Sequence, residues 1–212
     1  MFNKLALIAL FFCLNAFGSI NPHWESISEK DGISVYKTEV PGTKVVGFRG
    51  ETTIYASAEK VMNVLLDNDH RKDWVDRLKE TTVLEQVAPF EYVIYQEFHL
   101  PWPMKNRDFV YRGKAERDKE GRVILTLRSE EFKNAPKTTG VRAELKESRY
   151  IITPIGKFKC KLEVEILSDP KGSIPVWLVN LIQKSWPAKT LGAIKDQVEK
   201  SFVSEVALPE KI

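Results

Sequence analysis

The segment that most limits how this chain folds is its last apolar run, "IPVWLVNLIQKSWPAKTLGAIKDQVEKSF", residues 174–202. Its spacing predicts a long helix opening at Pro175, where a missing backbone N–H costs nothing because first-turn donors have no intrahelical partner. The two halves differ. In the second, Leu191, Ile194, Val198 and Phe202 share one side, opposed by Lys195, Asp196, Glu199 and Lys200, the pattern of one buried and one wet face. The first half, Val176 to Trp186, is apolar nearly all round and must be covered on more than one face. Pro187 stands between the halves and predicts a kink there.

The cover has to come from strands. "ISVYKTEV" and "KVVGFRGETTIY" flank a "PGT" turn, and the period-2 or β-rich stretches "TTVLEQV", "FEYVIYQEFHL", "RDFVYRGKA", "RVILTLRSEEF", "GVRAEL", "RYIITPI" and "KFKCKLEVEIL" follow. Between them "SAEKVMNVLLDNDHRKDWVDRL" changes period. Val61, Met62 and Leu65 share a helical side, Ser57 is a candidate N-cap with Glu59 in the first turn, and a shorter helix carries Trp74 after the Asp67-Asn68-Asp69 break. The expected class is α+β: a curved antiparallel sheet of about nine strands gripping a long C-terminal helix. A twisted sheet wrapped on a helix leaves an apolar hollow wherever the fit is incomplete. The alternative is that large side chains fill the space.

Residues 1–18, "MFNKLALIALFFCLNAFG", have an early Lys4, an apolar stretch from Leu5 to about Leu14 and small residues at Ala16 and Gly18. They read as a secretory signal peptide cleaved near Gly18–Ser19, which places the rest in the periplasm or outside the cell. The stretch falls short of the roughly 20 residues that span a bilayer; an uncleaved anchor is the alternative. Residues 19–208 suit a single domain, expected as a monomer. The formal net charge of +3 falls to +2 without Lys4, which gives no preference for nucleic acid. Cys160 is then the only cysteine, and its place in "KFKCKLEVEIL" makes it a core residue. His23, His70 and His99 are scattered, so neither a metal nor a cofactor is expected.

The stretch "HLPWPMKNRDFVY", residues 99–111, is the most suggestive of chemistry. Adjacent strand residues point to opposite faces, so Arg107 and Asp108 cannot easily act on one atom. Pro101 and Pro103 lack donors and break the preceding ladder, which makes the trio Asn106-Arg107-Asp108 a scaffolded corner that aims Phe109 and Tyr111 inward. Tyr95, Glu97 and Tyr111 are the only acid–base candidates, and none has an obvious positioned partner. No catalytic residue is assigned.

The order and spacing of "HWESISEKDGISVYKTEV", "DNDHRKDWVDRLKETTVLE", "YVIYQEFHLPWPMKNRDFVY" and "GVRAELKESRYIITPIGKFKCKLEVEILSDPKGSIPVWLVN" resemble the START domain, the StAR-related lipid transfer module. Asn106, Arg107, Asp108 and Phe109 match its strand-opening motif, and Trp74 its helix tryptophan. Asp169, Pro170, Gly172 and Pro175 match the approach to its closing helix, with Asn180 inside it. The resemblance implies a helix-grip fold of the START/Bet v 1 type around a lipid-sized tunnel, in an exported bacterial-type member that binds or transfers one lipid or other apolar small molecule and has no catalytic residues as a class. Sterol-binding members carry a buried acid–base pair. Glu97 occupies the acid position, but the basic partner falls at Gly113, with Arg112 one residue off and turned away from the cavity, which speaks against a sterol.

The ligand wall implied is Tyr95, Glu97, Phe109 and Tyr111 from the sheet, with Leu178, Val179, Ile182 and Trp186 from the helix. Helix-grip enzymes of the polyketide cyclase/aromatase type, or an interaction module with a vestigial cavity, are the alternatives. Transient membrane contact through Lys133, Lys137, Lys184 and Lys189 would contribute about 1 kcal/mol for each lysine close to anionic lipid; a merely solvated face is the competing reading. By family analogy the loop "FKNAPKTTG" gates the cavity.

Overall fold

Alternation builds most of the molecule, and the computed structural model describes it over residues 23–39 and 46–211, without the side chains of residues 176–178, 180 and 183. The expected leader, residues 1–18, lies outside the described residues, as do the side chains of Leu178 and Asn180. Three strands, β1 (Glu25–Lys30), β2 (Ile33–Glu39) and β3 (Val46–Ile54), precede two short helices, α1 (Ala58–Leu66) and α2 (Arg71–Trp74). Seven more follow: β4 (Leu78–Ala88), β5 (Glu91–Phe98), β6 (Arg107–Arg117), β7 (Val123–Ser129), β8 (Val141–Arg142), β9 (Glu144–Gly156) and β10 (Lys159–Asp169). Helix α3 (Val176–Gln197) closes the fold.

All ten strands form one sheet in the order β1-β2-β3-β10-β9-β7-β6-β5-β4, antiparallel except for β8, which pairs parallel with β6. Two details depart from the sequence reading. β1 was hidden because an exposed edge strand carries no apolar alternation. "GVRAEL" and "RYIITPI" are not two strands: the chain crosses from β8 into a single long β9.

One face of the central strands is dry. Cys160, Leu162 and Val164 on β10 are fully buried, beside Ile54 of β3 and Ile152 of β9. The other face is a ladder of ion pairs. Glu51 and Glu163 stand directly opposite each other, and Arg49 and Lys161 each bridge both, which removes the like-charge cost. Ser57 caps α1 as expected, accepting from the Lys60 backbone at 3.3 Å.

Helix α3 lies on the dry face. At Gly50 of β3 a Cβ would come within 2.7 Å of the Pro187 side chain and 2.9 Å of Leu191, so the absence of a side chain there is what lets the helix settle so close. The helix runs through Pro187 without a break. Leu191, Ile194 and Val198 are buried as their stripe requires. Phe202 is not part of that stripe: the helix stops at Gln197, the 3.6-residue phase is lost, and Phe202, half exposed, stacks on His70 instead. Nor is the first half covered all round, since Leu181 is 57% exposed on the side facing away from the sheet.

Candidate functional site

The fit between α3 and the sheet is incomplete, and among the described residues the gap forms two hollows. The inner one, about 90 Å³, is bounded by Arg71, Trp74, Gln96, Tyr111, Leu145 and Tyr150. The outer one, about 160 Å³, lies among Arg77, Leu100, Arg107, Ile174, Val179 and Ile182. Phe98, Phe109, Ile166, Ser168 and Trp186 border both and form the partition between them.

The pairing of β5 with β6 decides which side chains reach these spaces. Ile94 stands opposite Tyr111, Gln96 opposite Phe109 and Phe98 opposite Arg107, and this set faces α3. The alternate set, Tyr95 opposite Val110 and Glu97 opposite Asp108, must then face the other way. Of the expected wall, Phe109, Tyr111, Val179, Ile182 and Trp186 border the hollows, and Trp186 meets Tyr150 edge to face at 6.3 Å. Tyr95 and Glu97 do not. Their placement in the cavity is corrected by one residue of strand parity, with Gln96 and Phe98 taking the inward positions.

On its own side Glu97 is 2% exposed and fully engaged. Its carboxylate accepts from Asn106 Nδ2 at 2.8 Å, Lys79 Nζ at 3.0 Å and Thr139 Oγ1 at 3.1 Å. Burial alone would raise its pKa, but these hydrogen bonds outweigh burial and hold the carboxyl below its ordinary value. Asp108 accepts from Thr138 Oγ1 at 2.7 Å and Arg142 Nε at 2.9 Å. Tyr95 packs with Val93 and Val110 beneath Phe132 and Ala135. Burial, with Asp108 and Glu97 nearby, pushes its phenol up to about 12, so it stays neutral.

These groups fasten the strap of residues 130–140 to the outer face. The loop expected to gate the cavity therefore borders neither hollow. Arg112 also faces outward, bound to Glu91 and Glu130, and no basic side chain stands at Gly113.

Arg107 points inward, away from Asp108. Its guanidinium donates to the carbonyls of Pro170 at 2.8 Å and Lys171 at 3.1 Å, which fixes the start of β6 to the turn before α3. Its side chain forms part of the outer hollow while its donors hold backbone.

The sequence reading missed Arg71. It is 7% exposed, donates through Nη2 to the Leu65 carbonyl at 2.8 Å and sits 5.9 Å from the Trp74 ring. Its buried Nε has no partner among the described residues. A charged residue in a short helix reads as solvent-facing, yet the i, i+3 spacing from Trp74 puts the two on one side of α2 and was the available clue. Tyr111 and Tyr150 stand in the same hollow, both held neutral by burial. Among the described residues bordering either hollow, Asp76 is the only carboxylate, and Lys189 pairs with it at 2.8 Å. The arrangement is an apolar enclosure with one under-used cation at its inner end.

The sequence profile of the START domain matches residues 15–191. The human phosphatidylcholine transfer protein is 33% identical over 175 residues, which span 78% of this chain and 77% of that protein. The STAR-related lipid transfer protein fragment from Xanthomonas axonopodis superposes with a TM-score of 0.75 at 26% identity, covering 84% of this chain and 99% of the fragment. Human STARD10 superposes with a TM-score of 0.76 at 24% identity over 84% of this chain and 74% of its own, a likeness of fold.

Proposed function

The chain belongs to the START domain family, and on that premise we propose that it is a monomeric carrier holding one phosphate-bearing lipid between the sheet and α3. The observation that carries this reading is the pairing of apolar walls with Arg71, a buried guanidinium whose Nε lacks a partner. A buried donor without an acceptor is costly, and a phosphate oxygen arriving there makes a charge-assisted hydrogen bond. The lipid's acyl part then runs through the partition into the outer hollow. Ligand sites commonly occupy about 300–1,000 Å³. The two hollows fall below that, so uptake requires Trp186, Phe98 and Phe109 to swing aside and join them.

Entry is at the outer hollow. The loop that supplies His99 and Leu100 to it also carries Trp102, which is 91% exposed, and Leu181 on α3 is exposed too. These two apolar side chains, with Lys105 and Lys184, form the edge that meets a membrane. Of the other lysines considered, Lys189 is engaged by Asp76, and Lys133 and Lys137 belong to the strap on the far face. With residues 1–18 as a cleaved leader, the carrier works in the periplasm or outside the cell; N-terminal sequencing of the protein from fractionated cells checks this.

The test is the content of the protein itself. Solvent extraction after gentle purification, read by mass spectrometry, is expected to release one phospholipid per chain. An empty protein that turns over a polyketide-like substrate would overturn the reading in favour of a helix-grip enzyme.

A further inference from the structure

A second exposed apolar site lies at the end of the sheet away from the outer hollow. The β9–β10 hairpin turns over residues 154–158, all exposed, and a Cβ placed on Gly156 would meet nothing within 4 Å, so the tip stands clear of the body. Ile155 is 56% and Phe158 64% exposed, and Tyr55, just past the end of neighbouring β3, is 81% exposed. Each ring carries a lysine: Lys157 Nζ lies 5.1 Å from the Phe158 centroid, and Lys159 Nζ 5.5 Å from that of Tyr55. Within the tip's segments 52–58 and 153–162 there is no aspartate or glutamate; just beyond the first, Glu59 opens α1 and acts on buried Cys160. The carboxylates of the adjoining turn after β6, Asp118 and Glu120, are both bound by Arg122.

We propose that this tip is an interfacial anchor for an anionic bilayer, distinct from the entry edge. Three apolar side chains projecting from the hairpin and the adjoining end of β3 suit insertion among lipid head groups, where aromatic rings settle at the water–hydrocarbon boundary. The ammonium groups of Lys157 and Lys159, held over these rings, stand at the same boundary as the lipid phosphates. The charge is complementary to anionic lipid and to nothing neutral. β10 runs its 11 residues from Lys159 at the tip to Asp169 beside the outer hollow, a span of roughly 35 Å at strand rise. A molecule held by the tip therefore turns its entry edge away from that bilayer, toward the aqueous space or a second membrane. The inference stands independently of what the cavity holds.

The experiment is flotation with vesicles of phosphatidylcholine alone or containing phosphatidylglycerol, alongside lipid extraction of the same samples. The wild-type protein is expected to float with the anionic vesicles, less so at high salt. The variant combining Tyr55→Ser, Ile155→Ser and Phe158→Ser should lose about tenfold in that binding, and Lys157→Glu with Lys159→Glu should abolish the preference for phosphatidylglycerol. All should keep wild-type lipid content and thermal unfolding. Phe158→Trp gives a gain-of-signal check, since its fluorescence should be quenched by brominated lipid beyond the wild-type level. Equal flotation of the triple variant, no flotation of the wild type, or absence of that added quenching overturns the anchor. A change in oligomeric mass in the triple variant would instead show a second copy covering the patch, and also overturns it.

Discussion

Strands β5 and β6 carry two buried surfaces, one residue apart in sequence and on opposite sides of the sheet. The outer one, with Tyr95, Glu97, Asp108 and Val110, contains more charge, yet both carboxylates on it are matched: Glu97 by three donors, Asp108 by two. The inner one, with Gln96, Phe98, Phe109 and Tyr111, is nearly apolar and borders unfilled space beside Arg71. A satisfied buried charge is a fastening. An unsatisfied one beside a hollow is an invitation to a ligand.

The contrast can be broken from either side. Removing the outer fastening should have the largest effect on folding. Glu97→Ala strands Asn106 and Thr139 and frees Lys79, and it is expected to cost about 3 kcal/mol in urea denaturation while leaving the lipid carried by the folded fraction unchanged. Arg71→Met should do the reverse. Losing one charge-assisted bond of about 1.5–3 kcal/mol predicts at least a roughly tenfold fall in phospholipid transfer between vesicles. Stability should change little, because loss of the Nη2 bond to the Leu65 carbonyl is offset by removal of a buried Nε that has no partner. Arg71→Lys should restore part of the transfer. Val179→Trp fills the outer hollow and should lower lipid content several-fold, with a stability change within about 1.5 kcal/mol; an equal loss of folding would show a packed core in place of a cavity.

The smallest effect concerns pH. Because the folded state holds Glu97 below its ordinary pKa, its ionised form stabilises the fold above the unfolded value of about 4.3. That contribution is lost as pH falls through the folded pKa. Thermal melts of the wild type and Glu97→Gln should therefore converge on acidification, with the variant showing the flatter profile.

Much of this was legible in the sequence. Adjacency alone showed that Arg107 and Asp108 diverge and that Arg112 would turn outward if Phe109 faced inward. The register that decides between Gln96 and Glu97 is different in kind. "YVIYQEFHL" contains a credible inward set at either parity, and only the pairing across the 99–106 loop selects Ile94, Gln96 and Phe98. Arg71 was invisible for a related reason. A polar residue in a four-residue helix has little local mark of burial beyond its spacing from Trp74, and it is buried because α2 packs against α3 and β4.

The sequence by itself determined most of the strands, the capped α1, the closing helix with its apolar stripe, and the resemblance that identifies the family. Each is written in periods of two or 3.6 residues, or in short ordered motifs, and so survives without knowledge of neighbours. The tertiary structure alone decided which strand face lines the cavity, how far the fit of α3 falls short, and that Arg71 stands in the resulting gap. Those properties belong to the space between elements, whose size and chemistry depend on how separately specified surfaces fail to fill one another.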